Sequence, residues 1–150
     1  MQKPSNLKYA KSQKGRLNFA IRLDRLCYGD FALMANQPAR LNSSQLSAAI
    51  LAIKRLLKKE GSPILRIFTH TPVSRKPSEV RMGKGKGPVS HYITKVQTGS
   101  ILIEIRSLSG GMGGAPETGT SASASLAISA LKVAQSKLPL ETSIIRATRP

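Results

Sequence analysis

The sequence predicts an α+β fold: two helices packed on a mixed or antiparallel sheet or barrel-like body, with a basic N-terminal arm and an extended Gly/Lys-rich loop. Three observations lead there. Two stretches carry apolar residues at helical spacing. Several short segments alternate or run apolar, as strands do. The two kinds do not alternate regularly along the chain, as a doubly wound sheet would require. At 150 residues the chain suits one domain, 1–150, with a single core.

The elements follow in order. Residues 1–15 read as a basic arm with little to pack, ending at Gly15. "LNFAIRL" (17–23) alternates, with Leu17, Phe19, Ile21 and Leu23 on one face, and predicts a strand. "YGDFALMA" (28–35) predicts a second, with Gly29 and Asp30 marking a bulge or turn at its start. The clearest element is a helix over 43–60. Asn42 caps it and Gln45 stands at the reciprocal position of a capping box. Leu46, Ala49, Ile50, Ile53, Leu56 and Leu57 form its apolar stripe, and Gly61 is the expected stop. "ILRIFT" (64–69) reads as a strand, and "HTPVSRKPSEV" (70–80), with two prolines, as an irregular connection. The Gly/Lys-rich loop spans 79–90. "VSHYITKV" (89–96) and "ILIEIR" (101–106), flanking Thr98-Gly99-Ser100, predict a hairpin. A Gly/Ser-rich stretch over 109–123 reads as a loop. A second helix, 125–138, carries Leu126, Ala130, Leu131, Ala134 and Leu138 before Pro139, and "TSIIRAT" (142–148) closes as a strand.

Charge bounds the function. Lys and Arg number 24 against 7 acids, a net charge of +17. Such an excess works against the compact state unless a polyanion neutralises it, so nucleic acid is the leading partner class and an anionic lipid surface the second. The apolar runs fall well short of the roughly 20 residues of a membrane span. Cys27 is the single cysteine, which excludes an internal disulfide and a Cys-cluster metal site; its apolar neighbours predict a small core residue. The seven acids are scattered, and neither His70 nor His91 has a paired carboxylate close in sequence, so no catalytic constellation and no metal or cofactor site is legible.

The segment "RMGKGKG" (81–87) interleaves three cations with three glycines. It is not a P-loop: Lys86 is followed by Gly87 and Pro88, with no Mg²⁺-binding hydroxyl and no helix. It lacks the spacing of a dinucleotide fingerprint as well. A phosphate-backbone reading fits. Gly83, Gly85 and Gly87 permit close approach and positive φ, while Arg81, Lys84 and Lys86 supply charge. The competing reading is a solvated loop. Aromatics make up only 4% of the chain, and Tyr9, Phe19, Tyr28, Phe31, Phe68 and Tyr92 look too often like core positions to build a base-stacking platform. Charge spread over an arm, a helix end and a loop suits docking among folded RNA helices by shape and backbone contact.

"VRMGKGKG" (80–87) resembles the signature of the bacterial-type L-sixteen ribosomal proteins of the large subunit. The likeness extends along the chain in order. "KYAKSQKGR" (8–16) is similar to the family's basic opening and "ARLNSSQLSAA" (39–49) to its helix start. "ILRIFTHTPVSRKPSEVRMGKGKG" (64–87) resembles its strand, connection and loop, and "KLPLETSII" (137–145) its closing segment. The resemblance implies an α+β body and a structural, non-enzymatic protein without a cofactor. It implies binding to large-subunit rRNA near the central protuberance, beside the aminoacyl-tRNA site, next to neighbouring ribosomal proteins and away from membrane. The loop Arg81, Met82, Gly83, Lys84, Gly85, Lys86 and Gly87 would face tRNA. Lys8, Lys11, Lys14 and Arg16 would lie along rRNA. With the charge pattern, Arg22, Lys54, Arg55, Lys58, Lys59, Arg75 and Lys76 complete the rRNA-binding set. The alternative is a structured-RNA-binding or ribosome-assembly factor outside the ribosome. Three departures stand out: fewer Arg and Gly residues after Gly15, His91-Tyr92 in place of an aromatic pair, and the longer stretch 109–123. The likeness begins by about residue 8, so the chain is expected either to be made where it acts or to use its own basic arm for import; the divergence and the insertion lead to the expectation of a mitochondrial ribosome, with plastid stroma or bacterial cytoplasm as alternatives.

Overall fold

The computed structural model describes residues 4–107 and 121–147. The elements run β1 (Phe31–Ala35), β2 (Ala39–Asn42), α1 (Ser43–Leu57), β3 (Gly61–Leu65), β4 (Thr71–Ser74), β5 (Val89–Val96), β6 (Ile101–Ser107), α2 (Ser121–Gln135) and β7 (Thr142–Arg146). They build two antiparallel sheets, one of four strands in the order β3-β6-β1-β7 and one of three in the order β2-β5-β4. The α+β expectation holds, and the barrel-like alternative does not, because the sheets stay separate rather than closing.

The core lies between the helix pair and the four-stranded sheet. Leu46, Ala49, Ile53 and Leu57 of α1 meet Ala127, Ala130, Leu131 and Ala134 of α2 over Phe31, Leu33, Ile103 and Ile105. Leu41 of β2 and Val96 of β5 join the same cluster, tying the second sheet to the first. Burying each Leu or Ile side chain contributes roughly 1.5–3 kcal/mol. Helix α1 starts where the capping pattern predicts, with the Asn42 N–H donating to the Gln45 side-chain oxygen at 2.9 Å. Leu56 is the one stripe residue left exposed. The helix stops at Leu57, ahead of Gly61, which instead opens β3 opposite Ser107.

Several expectations are corrected. The strands β5 and β6 do not pair: Gly99, at φ +81, turns the chain out of the three-stranded sheet and into the four-stranded one. The turn is held by the Gly99 N–H on Ala35 O (2.7 Å) and the Ala35 N–H on Ser100 O (3.0 Å). The strand expected over 64–69 begins three residues earlier and ends at Leu65. Pro63 is tolerated because β3 is an edge strand. The same holds for Pro72 in β4, a strand inside the stretch expected to be irregular. Helix α2 begins at Ser121, four residues early, where Ser and Ala carry no apolar signal. Residues 109–120 of the Gly/Ser-rich stretch and Thr148 lie outside the described residues.

The largest correction concerns 17–23. The period-two alternation is present, but no strand forms and the apolar face points outward: Phe19, Ile21 and Leu23 are 76, 74 and 89% exposed. Asn18, Ala20 and Arg22 are exposed as well, and the segment is tied to the body through its backbone, the Arg22 N–H donating to Thr98 O at 2.8 Å. Cys27 is exposed rather than buried. Its neighbours are held by a charge inside the body. Glu104 of β6 is fully buried and accepts the N–H groups of Tyr28 (2.7 Å) and Gly29 (2.8 Å) and a hydrogen bond from Arg66. Arg66 in turn lies over the Tyr28 ring, 5.2 Å from its centroid. Burial works against the Arg66 charge, yet hydrogen bonding to Cys27 and Glu104 and the Glu104 charge raise its pKa above the ordinary guanidinium value.

Candidate nucleic-acid interface

The arm and the glycine-lysine loop, some 75 residues apart in sequence, meet in space. Lys11 Nζ donates to Lys86 O at 2.6 Å and Lys86 Nζ donates to Ser12 O at 2.6 Å, a reciprocal clasp. The loop base is closed by the Arg75 N–H on Pro88 O (3.1 Å) and by Lys76 Nζ on Gly83 O. Gly83, Lys84 and Gly85 take φ of +88, +54 and +79, three successive left-handed residues, and no atom lies within 4 Å of a Cβ placed on either glycine. The tip is therefore open to a close-approaching backbone. Gly87 serves differently from the expectation: a Cβ there would lie 2.8 Å from Arg75 O, so its small size lets the two loop stems touch.

Beyond the loop, the arm crosses the β2–β5 surface. Arg40 Nη2 donates to Gly15 O at 2.7 Å, and Arg40 stands directly opposite Lys95 in the β2–β5 register. Like charges set opposite each other on a sheet are destabilising. Arg40 Nε is buried without a hydrogen-bond partner. Neither residue was singled out by sequence; the signal was available in "ARLN" and "ITKV", where a cation interrupts each strand.

What these cations touch is informative. Lys11, Lys76, Lys86 and Arg40 all rest on neutral backbone carbonyls. Among the described residues none of them, nor Lys84 or Lys95, forms an ion pair with a carboxylate. Arg22 differs, since Asp24 pairs with it at 2.6 Å. Lys8 lies over its neighbour Tyr9, 5.5 Å from the ring centroid. Lys14, Arg16 and Arg81 are exposed. Lys54, Arg55, Lys58 and Lys59 are exposed at the end of α1, and no side-chain hydrogen bond links them to the arm or loop. The aromatic reading is corrected too: Tyr9, Phe19, Tyr28 and Phe68 are exposed, and only Phe31 is core. His70 lies at the surface and His91 on a half-buried strand face. Among the described residues no group of His, Cys, Asp and Glu is arranged to hold a metal ion, and no helix is long and apolar enough to cross a membrane.

The family profile described as "Ribosomal protein L16p/L10e" matches residues 4–145. The chain belongs to this family. It is 41% identical over 147 residues to the large ribosomal subunit protein uL16 of Pelagibacter ubique, covering 97% of this chain and 98% of that one. It is 39% identical to the protein of the same name in Blochmanniella pennsylvanica, over 95% of this chain and 96% of that one. With that of Thermus thermophilus it shares 37% identity over 95% and 92%. These relatives are bacterial, and the family is a structural ribosomal component rather than an enzyme.

Proposed function

We propose that this chain, by family a structural constituent of the large ribosomal subunit, grips large-subunit rRNA with its arm and β2–β5 surface. Its Gly83–Gly85 tip faces tRNA. Neighbouring large-subunit proteins complete its surroundings. One observation carries the reading: arm and loop are fastened together by lysines that rest on carbonyl oxygens and meet no carboxylate among the described residues. Their charge is thus left for phosphates, whose neutralisation releases counterions. The α1 cations form a second contact of the same kind. The working compartment is the mitochondrial ribosome, a reading supported by the departures from the family pattern; the bacterial relatives favour bacterial cytoplasm instead, and cell fractionation separates the two.

The test is a Lys84→Ala/Lys86→Ala double variant expressed in place of the native chain. Large subunits carrying it should form and sediment normally in high salt, while tRNA occupancy of the aminoacyl site falls. Wild-type tRNA binding and translation in that variant contradict the loop's role. A chain that never co-sediments with large subunits contradicts the ribosomal reading and favours a free RNA-binding factor.

A further inference from the structure

A cleft separate from the glycine-lysine loop lies between segment 16–24, strand β5 and the residues after β3. It consists of two adjoining depressions of about 280 and 290 Å³ that share Arg22, Lys95, Val96 and Ser100. Each approaches the lower bound of roughly 300 Å³ for small-ligand sites, room for one nucleotide rather than several. One end carries Phe68, 47% exposed, beside His70. The other carries Arg16, Asn18 and Gln97. The alternation of segment 16–24 makes this wall: Arg16, Asn18, Arg22 and Asp24 line the cleft while Phe19, Ile21 and Leu23 point away.

Its charges are unequal. Arg22 is paired with Asp24 and Arg66 with Glu104, so both are already satisfied. Arg16 and Lys95 have no such partner among the described residues, and Lys95 is set against Arg40 across the strands. An anion between them would relieve that repulsion. A cation pair alone would suit any anion, an acidic peptide included. The exposed ring of Phe68 at the far end selects a ligand with a flat π-face at one end and a negative charge at the other.

We propose that the cleft receives a single unpaired nucleotide of the bound RNA, its base on Phe68 and its phosphate facing Arg16 and Lys95. Asn18 and Gln97 supply amide hydrogen bonds to the sugar or the base edge. The site rests on the RNA-binding reading above but uses none of the loop residues, so the two can fail separately. It also explains an exposed aromatic that contributes nothing to the core.

The test uses the full chain with two fluorescent probes, a single-stranded uridine tetramer and a stable RNA hairpin closed by a non-nucleotide linker, which offers no unpaired base. Phe68→Leu keeps apolar bulk and removes the stacking face; Phe68→Tyr keeps the face. Phe68→Leu should weaken tetramer binding about tenfold, the effect of losing one base stack. Hairpin affinity should change less than about twofold, and Phe68→Tyr should restore the tetramer. A tetramer carrying 4-thiouridine should crosslink, in the wild-type chain, to the peptide holding Phe68 and His70. Unchanged tetramer binding in Phe68→Leu, no recovery with Tyr, or crosslinks confined to 81–87 overturns the site. Hairpin binding without tetramer binding overturns the site alone. Binding of neither RNA overturns the RNA reading with it.

Discussion

The helix-sheet core and the arm-loop surface settle their polar groups in opposite ways. In the core the one buried charge among the described residues, Glu104, is surrounded by donors: two backbone N–H groups at 2.7 and 2.8 Å and the Arg66 guanidinium. On the surface the cations lean on neutral carbonyls, and Arg40 faces Lys95 with its Nε unpartnered. One region answers its buried charge from within, although Thr142 Oγ1 of β7 is left unpartnered; the other has donors to spare. A protein held together by the first and working through the second should show the two properties separately when each is perturbed.

The most severe break should come from Leu33→Ala, at a fully buried position in the centre of the sheet. It should lower unfolding free energy by about 3–5 kcal/mol in a urea titration, from lost burial plus the cavity. The salt dependence of RNA binding by the remaining folded chain should not change. If it does, core and interface are not separable. Next, Glu104→Ala should cost roughly 3 kcal/mol, because Arg66 and the two N–H groups lose their acceptor while a quarter of Arg66 stays solvated. A loss under about 0.5 kcal/mol would show that solvent replaces the carboxylate freely.

A smaller and local effect is expected at Gly99. A Cβ there would lie 1.8 Å from Arg22 O, and the backbone is at φ +81. Gly99→Ala should therefore push segment 16–24 off the body at a cost of roughly 2 kcal/mol. Hydrogen exchange should report lost protection at the Arg22 N–H, with β1 and β6 unaffected. The smallest effect belongs to Leu23→Ser. At 89% exposed it contributes almost nothing to the isolated chain, so the melting midpoint should move by less than the equivalent of about 0.5 kcal/mol. A larger drop would mean that the outward apolar face is covered.

Legibility in the sequence follows the same division. Helix α1 was readable because stripe, cap and dipole-compatible cations agree on it. Strands β1 and β5 were readable as short strand-forming runs set off by turn residues. Pairing was not, because Thr98-Gly99-Ser100 serves a hairpin and an inter-sheet corner equally well in one dimension. The direction of 17–23 was hidden for a related reason: alternation fixes two faces, not which one meets the protein. The loop's open tip at Gly83 and Gly85 was legible because repeated glycine favours positive φ. Its clasp to Ser12 is a product of topology with no local signature; for Arg40 and Lys95 the interrupting cations were visible in their strands, but the register that sets them opposite was not.

The central claim is that arm and loop are shaped for a sugar-phosphate backbone. The most direct measurement is affinity for tRNA across a salt series, wild type against Lys84→Ala/Lys86→Ala. Each phosphate contact on a duplex adds roughly 0.9 to the slope of log affinity against log salt, so the double variant should be shallower by about 2. An unchanged slope, with weakened or equal affinity, would show that these lysines do not meet phosphate and would contradict the account.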